Sequence, residues 1–307
     1  MKRLMLIINP HAGKQKIRSM LCTLIEKLNA GGYMPTVFVT DPEYGAQKIV
    51  DEYSDEFDYI LCCGGDGTLN QVIGRVLRKK KRPAIGYIPA GTANDVASSL
   101  DLSSDVIQAA DDLMISRPTP YDVGVLGATN FIYIASFGAF TEASYATSQD
   151  LKNALGQLAY ILQGVKSVQN IESHHIKIEA NGRVYEDDYV FGAMINSFSF
   201  AGMFKLNPED VSFNDGQFEV MLIKTPRTVQ QLQNAATCLL KRQYDERYVT
   251  FFHTAEMTVT SDEPIPWTTD GEFGDVYQKV KLSVKKGAVN LMLKEDTFLG
   301  GAELNKE

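Results

Sequence analysis

The sequence predicts an α/β protein: an N-terminal α/β domain with a doubly wound parallel sheet, followed by a β-rich antiparallel second domain. Through about the first 120 residues, apolar strands alternate with amphipathic helices across short glycine-rich links. After about Gly127 the pattern changes to mostly strand-like runs. The chain has 307 residues, which is long for one hydrophobic core and comfortable for two.

The elements of the first domain, residues 1–127, alternate in the order that a parallel sheet requires. The predicted strands cover residues 4–8, 36–40, 58–63 and 85–89, and the predicted helices cover residues 17–28, 44–53, 69–77 and 106–114. The run at 58–63 is continuously apolar, which is typical of a strand buried on both faces. Strand-helix alternation of this kind favours a parallel, doubly wound sheet.

The second domain, residues 128–293, is predicted to be largely antiparallel. Its two helices cover residues 155–168 and 229–240, and Asn181-Gly182 predicts a hairpin turn. Further strands are predicted at residues 219–224, 251–262 and 279–293, the last with a turn at Lys286-Gly287. The tail, residues 294–307, has no clear sequence pattern. One arrangement open to it is packing back on the first domain.

Composition and charge exclude several classes of protein. The net charge of −8 argues against a nucleic-acid-binding protein held by bulk electrostatics. No apolar run approaches the roughly 20 residues that span a bilayer, and the four cysteines fit reduced thiols in the cytoplasm. Because the net charge is negative, contact with an anionic membrane surface would need a local patch of basic residues. The run at residues 79–82, Lys-Lys-Lys-Arg, is such a patch or a solvated loop.

The segment CCGGDGTLNQ, residues 62–71, has the pattern of a phosphate-binding loop. A buried strand runs into Gly64-Gly65-Asp66-Gly67-Thr68, and a helix follows at once. Glycines let backbone N–H groups approach an anion, and a helix N-terminus favours negative charge. Thr68 offers a hydroxyl to a phosphate oxygen, and Asp66 suits Mg²⁺, directly or through water. The alternative is a glycine-rich turn in which Asp66 or Thr68 caps the helix.

Two further polar loops follow strands of the same predicted sheet. Residues 9–14, Asn-Pro-His-Ala-Gly-Lys, follow the first strand, and residues 90–95, Ala-Gly-Thr-Ala-Asn-Asp, follow the fourth. The carboxyl edge of a parallel sheet is the usual ligand crevice, so three loops there predict one ligand site. The sequence has neither GxxxxGK[ST] nor GxGxxG after the first strand, which excludes a P-loop enzyme and disfavours a dinucleotide fold of the usual kind.

The motifs NPHAG, GGDGTLN and PAGTAND, in this order, closely resemble those of the diacylglycerol kinase catalytic-domain family, particularly its soluble bacterial lipid kinases. LNPEDVSFNDGQF and TDGEFG add to the resemblance, which runs from about residue 4 to about residue 274. GGDGT alone is shared with NAD kinases. The resemblance implies the fold of the NAD kinases and diacylglycerol kinases, and a cytoplasmic lipid kinase of phospholipid biosynthesis that works peripherally at the inner membrane face.

The resemblance also implies roles for individual residues. Asp270 matches the proposed general base, and Asp122 matches an acidic residue of the catalytic charge network. Asp66, with the Mg²⁺ expected from the chemistry of its loop, is the third catalytic candidate. Glu272 matches a nucleotide-site residue beside the base. The positions that match ATP-binding residues are Asn9, Pro10, His11, Ala12, Gly13, Thr40, Gly65, Asp66, Gly67, Thr68, Leu69, Asn70, Gln71 and Thr92. The positions that match a structural Mg²⁺ site are Asp215 through its side chain, and Ser212 and Gln217 through backbone carbonyls.

Phosphoryl transfer needs positioning and charge neutralisation more than covalent chemistry, and these residues supply both. A departure from the family pattern is Gln163, which stands where a basic residue coupled to the Asp122 position is common. Other lipid alcohols, namely a sphingoid base, a prenol or phosphatidylglycerol, stay open as acceptors beside diacylglycerol. The alternatives are an NAD kinase and a non-catalytic nucleotide- or lipid-binding regulator. A homodimer is common among such enzymes, although no surface stripe in the sequence indicates it.

Overall fold

The computed structural model describes residues 1–12, 16–138, 172–200 and 204–301. The chain divides into two compact units. Unit 1 comprises Met1–Val123 and Lys286–Leu299, and unit 2 comprises Gly124–Lys285 and Gly300–Glu307. The predicted helix at residues 155–168, with Gln163, lies outside the described residues.

Unit 1 is built on a parallel sheet with the strand order β2–β1–β3–β4, and the carboxyl-terminal part of a later strand joins β4 in the same direction. Its strands are β1 (Lys2–Ile8), β2 (Tyr33–Val39), β3 (Tyr59–Gly64) and β4 (Ala84–Pro89). Its helices are α1 (Lys16–Ala30), α2 (Ala46–Tyr53), α3 (Asp66–Val76), α4 (Asp95–Ser99) and α5 (Val106–Ile115), with a 3-10 turn at Ser54–Glu56. The parallel strands and the helices between them confirm the predicted alternation.

The core of unit 1 explains why β1 is continuously apolar. Leu4, Leu6 and Ile8 lie in one hydrophobic cluster with residues of α1 and α5. Met5 and Ile7, which alternate with them along the strand, are also fully buried. Because successive side chains of a strand point to opposite faces, both faces of β1 are covered.

Unit 2 is rich in antiparallel strands, with the order β13–β12–β9–β7–β14–β15 and β8 paired to both β9 and β14. Two of its strands, β5 and β15, also run into unit 1. The strands are β5 (Arg117–Leu126), β6 (Thr129–Phe131), β7 (Ile134–Gly138), β8 (His174–Ala180), β9 (Arg183–Ile195), β10 (Ser199–Phe200), β11 (Phe204–Lys205), β12 (Phe218–Lys224), β13 (Val249–Thr254), β14 (Glu256–Thr269) and β15 (Glu272–Leu293). A helix, α6 (Val229–Lys241), and a 3-10 turn at Pro208–Asp210 complete the unit.

The hairpin predicted at Asn181-Gly182 is confirmed. It joins the antiparallel strands β8 and β9, and both residues have positive φ angles, 51° and 72°. This is the backbone that a two-residue turn of the primed type requires.

Two other details of the predicted strands are wrong. Lys286-Gly287 is not a turn, because β15 continues through it to Leu293. Gly287 does have a φ angle of 53°, and its N–H donates to Asp122 Oδ1 at 2.6 Å, so a buried carboxylate accommodates the irregular backbone within the strand. The predicted strand at residues 251–262 is two strands, interrupted at Ala255.

Candidate functional site

The three polar loops of unit 1 start from neighbouring ends of its parallel strands. The N–H of Asn9 donates to the carbonyl of Cys63 at 2.9 Å, and the N–H of Ala90 donates to the carbonyl of Gly64 at 2.7 Å. Thr40, which follows β2, donates its N–H to the carbonyl of Ile8 at 2.9 Å. Each bond extends the sheet ladder by one residue, so the loops after β1, β3 and β4, together with Thr40, lie along one edge.

The glycine loops after β3 and β4 are in direct contact. A Cβ atom built on Gly65 would lie 3.2 Å from the Cα atom of Gly91, and one built on Gly91 would lie 2.6 Å from the Cα atom of Gly65. Real Cβ atoms essentially never come as close as the second value. Glycine is therefore needed at Gly91 for the two backbones to pass each other.

The first loop is joined to the helix that follows β3. The Asn9 side-chain amide donates to Thr68 Oγ1 at 3.1 Å, and Asn9 Oδ1 accepts the N–H of His11 at 3.0 Å. The first bond fixes the Thr68 hydroxyl at the start of α3, and the second folds the backbone of the first loop into a tight turn. Two predicted nucleotide-binding motifs are thus held in one arrangement.

Asp66 is buried at the first position of α3 and links the second loop to the third. Its Oδ2 accepts the N–H of Asp95 at 2.9 Å, and its Oδ1 accepts the N–H of Val96 at 3.4 Å and the Tyr87 hydroxyl at 3.5 Å. Burial raises the pKa of Asp66, and these hydrogen bonds lower it in part. Burial, with the charge of Asp66 second, raises the pKa of Asp95 to about 6.

Two carboxylates therefore lie close together where burial disfavours their charge. A cation held by Asp66 or Asp95 would offset that cost, and carboxylate oxygens are the ligands that Mg²⁺ prefers. The sequence reasoning assigned Asp66 to this role and left Asp95 out, although Asp95 belongs to the third loop. Tyr87 was missed because its hydroxyl is carried on an otherwise apolar strand.

The third loop depends on a residue that the sequence reasoning did not single out. Asn94 has a φ angle of 55°, and its side chain both accepts from the N–H of Gly91 and donates to the carbonyl of Gly91, each at 2.9 Å. Asparagine tolerates this left-handed conformation better than most residues. The Asn94-Asp95 pair that ends the loop is the feature of the sequence that could have indicated this left-handed turn.

The remaining predicted nucleotide residues differ in what they can offer. The side chain of Leu69 is fully buried, so only its backbone could meet a ligand. Thr92 and His11 are exposed, and Gln71 is half-buried. The other members of the predicted set that the structure describes lie in the loops or the first turns of α3: Pro10, Ala12, Gly67 and Asn70. Gly13 lies outside the described residues.

Asp122 is fully buried at the end of unit 1 that precedes Gly124. Its Oδ1 accepts the N–H of Gly287, which stabilises the irregular backbone of β15. This contact gives Asp122 a structural role, in addition to the catalytic role that the family resemblance implies for it.

Asp270 has a specific structural setting in unit 2. It has a φ angle of 50° in the turn between β14 and β15, and its side chain is 7% exposed. The carboxylate accepts three backbone N–H groups, from Ile132 at 2.8 Å and from Tyr133 and Ile134 at 3.0 and 3.1 Å. These three bonds fix the orientation of the carboxylate against the segment that leads into β7.

Glu272, two residues further along, is in a different environment. It is exposed at the first position of β15. Its carboxylate is therefore accessible, while that of Asp270 is occupied by the backbone of the segment before β7.

The predicted structural metal site lies in the segment before β12. Asp215 is exposed, and its Oδ1 accepts the N–H of Gln217 at 2.8 Å. Ser212 forms a bridge with Gly300. Glu219, which the sequence reasoning did not single out, follows in β12 and is 1% exposed. Burial raises the pKa of Glu219 well above its usual range, and the charges of Asp215 and Asp210 add to this.

Several other features bear on function within residues 1–12, 16–138, 172–200 and 204–301. No helix there is long and apolar enough to cross a membrane, and no group of three or more acidic, histidine or cysteine side chains is placed to hold a metal ion. The basic run is largely engaged: Lys79 pairs with Asp55, and Lys81 pairs with Asp58. Arg82 donates to backbone carbonyls of Leu77 and Ala288. These contacts favour the solvated-loop interpretation of the run.

Comparison with known families identifies both parts of the chain. Residues 3–126 match the diacylglycerol kinase catalytic domain, and residues 135–293 match the YegS C-terminal NAD kinase beta sandwich-like domain. The second match alone covers more than half of the chain. The protein therefore belongs to the diacylglycerol kinase catalytic-domain family.

Similar proteins and structures agree with this assignment. The chain is 31% identical over 276 residues to a diacylglycerol kinase of Bacillus subtilis, covering 89% of this chain and 91% of that protein. It is 29% identical to a diacylglycerol kinase of Staphylococcus carnosus, covering 93% of each. A crystal structure described as a putative diacylglycerol kinase from Bacillus anthracis has the same fold, with a TM-score of 0.81, 23% identity and 96% of each chain covered.

Proposed function

We propose that this protein is an ATP-dependent lipid kinase that transfers the γ-phosphate of ATP to a lipid hydroxyl, with diacylglycerol as the acceptor and phosphatidic acid as the product. The observation that carries the proposal is the joining of three polar loops at one edge of the parallel sheet in unit 1. The similarity to proteins named diacylglycerol kinase supports the choice of acceptor.

The nucleotide is proposed to bind along the predicted doubly wound sheet at its carboxyl edge. The glycine loop after β3 leads directly into α3, whose N-terminus favours the negative charge of a phosphate, and the packing of Gly65 against Gly91 holds the third loop beside it. Asn9 fixes the Thr68 hydroxyl, which would orient a phosphate oxygen. Thr40 is mostly buried beside β1, which makes it a boundary of the same site.

Mg²⁺ is proposed in two places. With the nucleotide it would supply charge neutralisation during phosphoryl transfer. Asp66 and Asp95 fit that ion, because burial opposes their negative charge. In unit 2 a structural Mg²⁺ is proposed at Asp215, with the backbone carbonyls of Ser212 and Gln217.

The acceptor hydroxyl needs a base, and two carboxylates of one turn are candidates. Asp270 is proposed as the base, as the family resemblance implies, and three N–H donors hold its carboxylate in one orientation. Glu272, which is exposed in the same turn, is proposed to contact the nucleotide beside it.

The reaction is tested by transfer of labelled phosphate from ATP to a panel of dispersed lipids in the presence of Mg²⁺. The panel contains diacylglycerol, a sphingoid base, a prenol and phosphatidylglycerol, and NAD is tested in parallel. We expect label in diacylglycerol. Label in NAD would establish the NAD kinase alternative, which the shared GGDGT motif keeps open. ATP binding without transfer to any acceptor would establish a non-catalytic regulator.

The base is tested in the same assay with Glu272→Gln, Asp270→Asn and a control, Glu263→Gln, an exposed carboxylate on β14. We expect Asp270→Asn to lower kcat by about 10²-fold or more, the size of a general-base contribution, while Glu263→Gln keeps full activity. Full activity in Asp270→Asn would exclude Asp270 as the base.

The protein is also proposed to work at the cytoplasmic membrane face without crossing it, and to form a homodimer. The lipid acceptor supports the first proposal. The second is supported by β2, which ends the strand order of the sheet and exposes Met34 and Val39. Co-sedimentation with vesicles that contain diacylglycerol tests the first, and light scattering during gel filtration tests the second.

A further inference from the structure

Glu219 is an unusual residue for the strand that carries it. Its neighbours in β12, Phe218 and Val220, belong to the hydrophobic core of unit 2. Glu219 itself is 1% exposed, and its Oε2 atom has no hydrogen-bond partner. Buried carboxylates in proteins are paired with a cation, hydrogen-bonded or bound to a metal, because an isolated buried charge is very unfavourable.

No basic side chain in the part of the chain that the structure describes forms an ion pair with Glu219. His253 stands opposite it in β13, but the His253 Nε2–H donates to the carbonyl of Asp210 at 2.6 Å. The other interstrand neighbour, Ile195 of β9, is apolar. The strands around Glu219 therefore provide no positive charge for it.

The segment before β12 supplies the groups that do surround the Glu219 carboxylate. The backbone N–H of Ser212 donates to it, and Asp215 and Asp210 lie close enough to affect it electrostatically. Ser212 and Asp215 are two of the three residues proposed for the structural Mg²⁺. Glu219 thus shares its surroundings with that proposed site while one of its own oxygens lacks a partner.

We propose that Glu219 is a further carboxylate of the structural cation site, holding a hard divalent cation such as Mg²⁺ directly or through a bound water together with Asp215. Mg²⁺ is commonly held by one or two carboxylates and keeps several waters. The cation would provide the positive charge that the protein around Glu219 lacks. It would also fasten the segment from Ser212 to Gln217 onto β12. This inference rests on the structural Mg²⁺ of the proposed function.

The test measures metal binding in the full chain, free of nucleotide and treated with a chelator. Mg²⁺ is titrated calorimetrically into the wild type, Glu219→Gln and Glu209→Gln, and the Tm of each is measured with and without Mg²⁺. Glu209 is an exposed carboxylate of the 3-10 turn at Pro208–Asp210, so its variant is a matched control. The same titrations are repeated with Asp66→Asn added to each protein, so that the Mg²⁺ binding lost with Asp66 is assigned to unit 1.

We expect Mg²⁺ to raise the Tm of the Glu209→Gln control as much as it raises the Tm of the wild type. Glu219→Gln should lose most of this rise and bind Mg²⁺ about tenfold or more weakly, as found for residues that support a metal site. Without metal, Glu219→Gln should have a Tm close to that of the wild type, because glutamine has nearly the same shape as glutamate. A residue with a purely structural role would lower the Tm in both conditions.

Unchanged Mg²⁺ affinity in Glu219→Gln, or no metal-dependent change in Tm with Glu219 intact, would overturn the inference. If Glu219→Gln does not fold, Glu219→Asp replaces it, since the shorter carboxylate keeps the charge but should bind Mg²⁺ measurably more weakly. Affinity equal to wild type in that variant would also overturn the inference. Lipid phosphorylation is assayed separately, so failure of the kinase proposal is recognised by absent transfer while the metal titrations stand unaffected.

Discussion

Gly65 and Gly91 approach so closely that a Cβ atom on Gly91 would lie 2.6 Å from the Cα atom of Gly65. The contact is between backbones, so no flexible side chain can move away to make room. Because neither glycine has a side chain, the two loops that are proposed to hold phosphate pack directly against each other. This relationship leads to the first prediction.

Gly91→Ala should destabilise the protein by about 1–3 kcal/mol, the usual cost of overpacking, and should weaken ATP binding because the third loop must shift. Gly45→Ala is the control, since its Cβ would meet only Gln71 Oε1, at 3.8 Å. Denaturant unfolding and calorimetric ATP titration measure both effects. Equal behaviour of the two variants would show that the loop contact is unimportant.

Asn9 and Thr68 should be energetically coupled. Removing their 3.1 Å hydrogen bond from either side, by Asn9→Ala or Thr68→Val, should cost about 1 kcal/mol of stability. A double-mutant cycle in denaturant unfolding should give a coupling energy of about 0.5–1.5 kcal/mol, because the second change removes a bond already lost. Strict additivity of the two changes would contradict the contact.

Asp270→Ala should be strongly destabilising. Three backbone N–H groups, those of Ile132, Tyr133 and Ile134, would lose their common acceptor, and each buried unsatisfied group costs about 1–3 kcal/mol. We expect a loss of about 3 kcal/mol or more in urea unfolding, with Glu272→Gln unchanged as the matched control. An Asp270→Ala protein of wild-type stability would show that these three hydrogen bonds do not stabilise the turn.

His175 should titrate above its ordinary value. Its Nδ1 lies 2.9 Å from Asp188 Oδ1, and this bond is the main cause that raises the pKa of His175 above 6.5; Asp262 and Glu186 also raise it, and partial burial opposes them. NMR titration should show a lower pKa for His175 in Asp188→Asn than in the wild type.

The same pair should contribute to stability in a defined pH window. Because the folded pKa of His175 exceeds the unfolded value, the contribution is fully present below pH 6.5 and is lost as the pH rises through the folded pKa. The Tm difference between wild type and Asp188→Asn should therefore be larger at acidic than at alkaline pH. A difference that does not change with pH would contradict the interaction.

The parts of the fold set by local patterns could be predicted from the sequence. Apolar runs and helical spacing predicted the alternation in unit 1, and Asn181-Gly182 predicted its hairpin correctly. Lys286-Gly287 misled the prediction, because it has the composition of a turn, whereas β15 continues through it and the carboxylate of Asp122 accepts the N–H of Gly287 within the strand. The doubly wound arrangement stays a prediction.

The details of the site depend on contacts between distant parts of the chain. The donors to Asp270 are more than 130 residues before it, and no local pattern connects them. Asn9 and Thr68 are 59 residues apart, so only their motifs could be recognised. Glu219 did leave a signal, a single acidic residue within an apolar strand, FEVMLIK. Its lack of a partner on one oxygen could be seen only in three dimensions.

The strand β15 begins among the residues of unit 2 and ends in unit 1, where Leu291 pairs with Ile85 and Met292 joins the core. The proposed nucleotide-binding half is therefore not encoded as one contiguous stretch. A fragment ending near residue 126 would lack its last sheet partner, so a shortened or exchanged version of this half has to include the carboxyl-terminal part of β15.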